Sequence, residues 1–266
     1  MPIESLTADQ IDFFNDQGYV LLPGLIEPNH RQRLIAEVEE MVAHRSAGDN
    51  RMIVSYDEMG MLTSHPPVIA MVEQLMGGTP FSMHHIHSAR HEPGDEGIGW
   101  HQDYEQIPQP NRTHLMVHVF YYLSGMNGEI GDLLVLPRSQ YVIAQRDLRM
   151  LDSIDLPGSV CIDDLEPGSA VVVHSAVWHT RRPKPGGDSG PRYFVDVSYC
   201  QHGTRWPGYG NVDEINATAL EMGLDRDGRY AYLYDGSCFF EREGYTRRLE
   251  ELNQGSFVQR LLDGDG

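Results

Sequence analysis

Apolar positions along the chain change their period near residue 80. Before it they recur three and four apart, the spacing of one helical face. After it they alternate or gather in short runs, as strands do. Thr7 and Gln10 stand at capping-box spacing ahead of Ile11, Phe13 and Phe14, and Gly18 ends that predicted helix. YVLLPGLI (19–26) reads as a first strand. Leu34, Ile35, Val38, Met41 and Val42 mark a second helix; Pro66 and Pro67 open a third over 68–76, which Gly77 and Gly78 close. From Phe81 onward, strand-like runs fall at 81–90, 97–103, 114–123, 132–136, 169–174 and 191–200, with a long insert at 141–165. The tail after Tyr199 is loop-like, with weak helical spacing at 213–222 and 245–262.

Neither a repeat nor a linker-like stretch divides the pattern. It predicts one domain over 1–266, mainly β, with helices packed beside a β-sandwich or barrel.

Charge narrows the partners. The chain has 266 residues and a formal net charge of −19, which argues against nucleic acid or an anionic membrane surface. No apolar stretch reaches the roughly 20 residues of a membrane span. The first ten residues lack the basic flank and apolar run of a secretory signal. Cys161, Cys200 and Cys238 are odd in number, far apart and outside any CxxC pattern, as suits a reducing compartment. The expectation is a cytoplasmic protein, monomer or homodimer, acting on a small molecule.

Candidate chemistry begins at Trp100-His101-Gln102-Asp103. Residues two apart on a strand point the same way, so His101 and Asp103 present an imidazole and a carboxylate to one side. A second histidine from a distant strand would complete a 2-His-1-carboxylate face, which leaves three positions of an octahedral Fe(II) open. His179 follows the apolar strand AVVVHS (170–175) and is the candidate, with His174 its rival. An H-x-D triplet alone carries little weight among 13 histidines. Order adds to it: Arg192 lies in the next β-like run, PRYFVDVSY, where a buried guanidinium can pair in bidentate fashion with the distal carboxylate of 2-oxoglutarate.

Several segments together resemble the phytanoyl-CoA dioxygenase family of 2-oxoglutarate oxygenases. They are LTADQIDFFNDQGYVLLPGLI (6–26), PGDEGIGWHQD (93–103), NGEIGDLLVLPRSQ (127–140) and GSAVVVHSAVWHTRRP (168–183), followed by Arg192. The likeness covers about 6–200 and leaves the tail unmatched. It implies a double-stranded β-helix (jelly-roll, cupin-like) core and Fe(II) at His101, Asp103 and His179, with His179 favoured over His174 by the family's spacing. It also implies 2-oxoglutarate held by Arg192, with Arg90 as a further contact, and O2 as oxidant. Hydroxylation of a small metabolite or natural product, with release of succinate and CO2, is the simplest reaction.

Two departures stand out. Thr180, Arg181, Arg182 and Pro183 follow the second histidine where the family often has Gly-Ser and then Asn, and a Pro-Gly-Ser-His turn reads Pro137-Arg138-Ser139-Gln140. Arg181, Arg182 and Lys184 form a small basic cluster, read as a solvated loop or an anion contact. His84, His85, His87 and His91 have no acidic partner at ligand-like spacing, so they are read as partly pocket-lining and partly exposed. On 115–123, His118, Phe120 and Tyr122 form the more polar face and are candidates to face the cavity. Two rival readings remain at this point, a cupin-like metalloenzyme without 2-oxoglutarate and a non-catalytic jelly-roll binding protein.

Overall fold

A computed structural model describes residues 5–103, 114–142, 152, 154–183, 190–241, 244 and 247. The capping box at Thr7 closes as its spacing predicts and starts α1 (Ala8–Gln17). Gly18 ends α1 with φ 83, and a Cβ there would sit 2.2 Å from Val177 Cγ2, so both the turn and the close approach require glycine. Next come β1 (Tyr19–Leu22), α2 (Pro28–Ser46), α3 (Asp57–Leu62) and α4 (Pro66–Leu75). β1 is shorter than the predicted 19–26, because the chain turns at Pro23 and Gly24. α3 escapes the periodicity, being only six residues long.

The β region comprises β2 (Phe81–His91), β3 (Ile98–His101), β4 (Met116–Tyr122), β5 (Met126–Asn127), β6 (Asp132–Leu136), β7 (Val160–Ile162), β8 (Asp164–Leu165), β9 (Ser169–His174), β10 (Trp178–Arg182) and β11 (Arg192–Gln201). After it come β12 (Trp206–Pro207), α5 (Val212–Glu221) and β13 (Phe239–Phe240). The predicted helix at 245–262 lies outside the described residues, apart from 247.

One antiparallel sheet runs β1-β9-β4-β11-β2 and a second runs β3-β10-β6-β7. From β2 the main strands β2, β3, β4, β6, β9, β10 and β11 alternate between the two sheets, which is the winding of a double-stranded β-helix. Neither sheet closes on itself. The fold is therefore mainly β with flanking helices, a jelly-roll of two facing open sheets.

Alternation decides what each face meets. Val117, Val119 and Tyr121 of β4 and Val195, Val197 and Tyr199 of β11 pack against Leu34, Val38 and Met41 of α2 and Val68 and Val72 of α4. Phe120, Tyr122, Val171 and Val173 point the other way, onto Leu133, Val135 and Ile162 of the smaller sheet. Both faces of β4 are covered, so all seven of its residues are buried and it reads as a continuous apolar run. Burying each such Val or Leu contributes about 1.5–3 kcal/mol. Residues 206–240 add Ala219 and Leu233 to the first of these cores, while Trp206 and Phe239 form a separate cluster with Met116, Ala176 and Cys200. Among the described residues no helix is long and apolar enough to cross a membrane, and all three cysteines are free.

Candidate metal centre

His101 ends β3, and His179 sits opposite it in register on β10. Trp100 and Trp178, one residue earlier on each strand, turn outward onto Leu134, so alternation sends both histidines into the space between the sheets. Asp103 lies just past the end of β3, where its N–H donates to the Ser175 carbonyl at 2.9 Å. The strand predicted over 97–103 thus stops early, and this hydrogen bond holds the carboxylate in place.

The imidazoles are fixed from behind. His101 Nδ1 lies 2.8 Å from the Gly99 carbonyl and His179 Nδ1 lies 3.1 Å from that of Val177. A carbonyl only accepts, so each Nδ1 carries the proton and each Nε2 offers a lone pair. Those Nε2 atoms face Asp103, at 3.5 Å from Oδ1 for His101 and 3.1 Å from Oδ2 for His179. One ligand atom from each residue falls within 4.8 Å of the others. Two oriented nitrogens and one carboxylate fit the donor set of a non-haem iron. Burial works to raise the Asp103 carboxyl, yet His179, with His118 and His101 behind it, holds it well below the usual carboxylate range.

A cavity of about 180 Å³ opens on this face, lined also by Phe120, Tyr122, Leu133, Phe194, Arg181 and Arg192. Arg192 is 4% exposed. Its Nη1 lies 3.4 Å from the Gly131 carbonyl and 3.8 Å from Met126 Sδ, and its guanidinium sits 5.6 Å from the Tyr122 ring centroid. Gly131 has φ 65 and no room for a Cβ, which would meet the Arg182 carbonyl at 2.6 Å. Arg192 Nε has no hydrogen-bond partner, and the side chain makes no ion pair among the described residues. Burial lowers its pKa. A buried cation with no ion pair among the described residues, on the same cavity as an imidazole–carboxylate set, can pair with an anionic group.

The remaining candidates separate. His174 turns away from the cavity: its ring stacks on Phe14 at 6.4 Å and its Nδ1 accepts the Ala176 N–H. Arg90, expected at the co-substrate, does not line the cavity. It points to the helix side of β2, paired with Glu39 at 3.0 Å and with Glu92, because strand alternation gives the inner face to its neighbour His91. His87 and His91 line the cavity; His84 and His85 are buried rather than exposed. Of the basic cluster, Arg181 lines the cavity, Arg182 pairs with Asp132 and Asp155, and Lys184 lies outside the described residues.

Asp196 was missed. It lines the same cavity at 7% exposure and accepts from His118 Nδ1 at 2.8 Å; His118 and His85 outweigh its burial and bring its pKa to about 2. A single acid inside the apolar run YFVDVSY was the signal in the sequence.

A profile of the phytanoyl-CoA dioxygenase family (PhyH) matches residues 14–184, well over half of the chain, and stops short of Arg192. No curated protein sequence matches. Solved structures of similar fold include HygX from Streptomyces hygroscopicus with nickel and 2-oxoglutarate bound, at 15% identity and TM-score 0.60, covering 76% of this chain and 91% of that one. EctD from S. alaskensis with 2-oxoglutarate and 5-hydroxyectoine matches at 16% identity and TM-score 0.61, covering 76% and 78%. The epimerase SnoN in complex with Fe3+, alpha ketoglutarate and nogalamycin RO matches at 16% identity and TM-score 0.59, covering 78% and 88%. At such identities the likeness is one of fold.

Proposed function

The chain belongs to the phytanoyl-CoA dioxygenase family of Fe(II)- and 2-oxoglutarate-dependent oxygenases, and we propose that His101, Asp103 and His179 hold its iron while Arg192 anchors its co-substrate. Membership removes the two rival readings, a metalloenzyme without 2-oxoglutarate and a non-catalytic binding protein. The reading rests chiefly on one cavity that brings the imidazole–carboxylate set together with a buried guanidinium that makes no ion pair among the described residues.

When bound, iron and 2-oxoglutarate supply the oxidising chemistry: one O2 is consumed, the keto acid leaves as succinate and CO2, and a C–H bond of a small metabolite or natural product is oxidised, most simply to an alcohol. The chain's own residues orient and exclude. Gly99 and Val177 carbonyls keep the two imidazole lone pairs aimed at one point. Arg192 gives the distal carboxylate of the keto acid a charged partner away from water, where a bidentate pair is strongest. Phe120, Tyr122 and Phe194 wall the space with aromatic surface. At about 180 Å³ it is smaller than the roughly 300–1,000 Å³ of typical ligand pockets, which suits a small dicarboxylate with the substrate at the mouth.

Anaerobic calorimetry tests the assignment. The chain should take up one Fe(II) at this face and then one 2-oxoglutarate, with the second step weakened in Arg192→Ala. Equal keto-acid affinity in the two proteins would move the anchor elsewhere, with Arg181 next to examine.

A further inference from the structure

Past Phe120 the cavity wall carries a second group of imidazoles around a carboxylate, and iron and co-substrate binding leave it without a task. Asp196 Oδ2 on β11 lies 2.8 Å from His118 Nδ1 on β4 and 3.6 Å from His85 Nε2 on β2. The corresponding separations in the first set are 3.1 and 3.5 Å. Here too one ligand atom per residue falls within 4.8 Å of the others, and all three residues are buried. Composition and spacing repeat. What differs is that each residue comes from a separate strand of the larger sheet.

The orientation of His85 is fixed by a chain of hydrogen bonds. His84 Nε2 lies 2.8 Å from the Pro207 carbonyl, so that nitrogen carries a proton. His84 Nδ1 lies 2.8 Å from His85 Nδ1, and Ser198 Oγ lies 2.9 Å from the same nitrogen, so His85 Nδ1 is engaged on this side and Nε2 is the atom turned toward Asp196. His85 Nε2 faces Asp196 Oδ2 at 3.6 Å, longer than an ordinary hydrogen bond and wide enough for a cation to sit between them. Asp196 Oδ1 is buried without a hydrogen-bond partner among the described residues. A β-bulge creates the arrangement: the register between β11 and β2 shifts between Ser198, opposite His85, and Tyr199, opposite Met83, and the extra residue is His84. The bulge turns His84 and His85 inward together.

The geometry points to a second metal site, in which His85 Nε2, Asp196 and His118 Nδ1, its proton displaced by the ion, hold a divalent first-row transition ion of the Zn(II) or Fe(II) class. Two imidazoles and one carboxylate suit such ions better than Mg or Ca, which favour all-oxygen sets. A hydrogen-bond partner behind the second ring nitrogen, as His84 and Ser198 are behind His85 Nδ1, is the usual backing of a metal-bound histidine. Two routes lead in. Asp196 lines the cavity, and Tyr209, stacked on His85 at 4.5 Å, also lines an open groove of about 580 Å³.

Metal counting decides it. The full chain is stripped with a chelator, reloaded anaerobically with excess Co(II), desalted, and analysed for cobalt per chain and for its visible absorption. Two ions per chain are expected in the unmodified protein. One should remain in His101→Ala/His179→Ala, one in His118→Gln/Asp196→Asn, and none when all four changes are combined. Circular dichroism melting confirms folding, and His85→Gln repeats the count if the paired substitution unfolds the chain. A single ion in the unmodified protein overturns the site. So does a second ion that survives both Asp196→Asn and His85→Gln; a thiolate-to-cobalt band would place it at Asp132, Cys161 and Asp163 instead. The first ion is counted independently in the Asp196 variants, so losing this proposal leaves the iron assignment standing.

Discussion

In the five-stranded sheet every residue of β4 is buried, whereas β3 and β10 of the four-stranded sheet leave Ile98, His101 and Arg181 partly open. The larger sheet has α2 and α4 behind it and the smaller sheet in front. Among the described residues, the smaller sheet has behind it only the Trp100, Leu134 and Trp178 cluster with Leu136 and Leu156. Proposed iron ligands sit on or beside the thin, accessible sheet, and the proposed anion anchor sits on the thick, dry one. Each placement suits its task. A reacting centre needs open positions and a route for substrate, while a guanidinium gains most from pairing where water is scarce.

Removing the ligands on the thin sheet should produce the largest effect. His101→Ala, Asp103→Ala or His179→Ala should each abolish Fe(II) uptake at this centre, lowering the ion count by one, and turnover should fall by more than the roughly 10–100-fold cost of losing a group that merely orients a ligand. His174→Ala should keep its metal. An unchanged ion count in His179→Ala with the loss of one ion in His174→Ala, measured by metal analysis, would reverse the assignment.

On the thick sheet, Arg192→Ala should leave Fe(II) binding near normal and raise the 2-oxoglutarate requirement about thirtyfold or more. Truncating one partner of a buried charged pair costs about 2–5 kcal/mol. Succinate release against keto-acid concentration gives the number.

Behind the thick sheet, His65 caps α4 with its Nδ1 buried and without a partner. Burial, with His30 and Arg226 nearby, pushes its pKa down to about 4. As pH falls below about 6.5 the unfolded chain takes up a proton that the folded chain refuses until about 4, so this contribution to stability is lost across that window. The loss should be on the order of 2 kcal/mol, since stability falls by about 1.4 kcal/mol for each pH step within the window. Denaturant melts at pH 7 and pH 4.5 should show that drop, and His65→Gln should reduce it.

Smallest of all should be Arg90→Ala on the helix side of β2. Its ion pairs with Glu39 and Glu92 lie near the surface, where such pairs contribute about 0–1 kcal/mol. A large rise in the 2-oxoglutarate requirement would contradict its placement.

Strands that only pack were legible in the sequence: 132–136 and 169–174 fall where their apolar runs predict. β10 was not. Its sequence WHTRR places His179 and Arg181 toward the cavity, so its inner face is polar and the alternation that marks a strand is inverted. His101, Asp103 and His179 could be picked out because two of them share a short motif and the third follows a strong apolar strand. His85, His118 and Asp196 come from three strands and depend on a bulge, which leaves no fixed spacing to read. Arg90 and Arg192 differ in a way invisible along the chain. Tyr193 pairs with Arg90 in register, which sends Arg192 to the cavity face beside His91.

The sheets are open, and β2, eleven residues long, forms one margin of the larger. A long strand with one side unpaired is a template on which another chain can lay itself. In its first half, Ser82 Oγ hydrogen-bonds the carbonyls of Tyr232 and Asp235, Phe81 meets the Tyr232 ring, and His84 meets Pro207. All three partner segments lie beyond the family match, which stops at residue 184. The C-terminal region therefore covers residues at the start of this strand. A chain ended before Trp206 would keep every proposed iron ligand and still be prone to aggregate along β2.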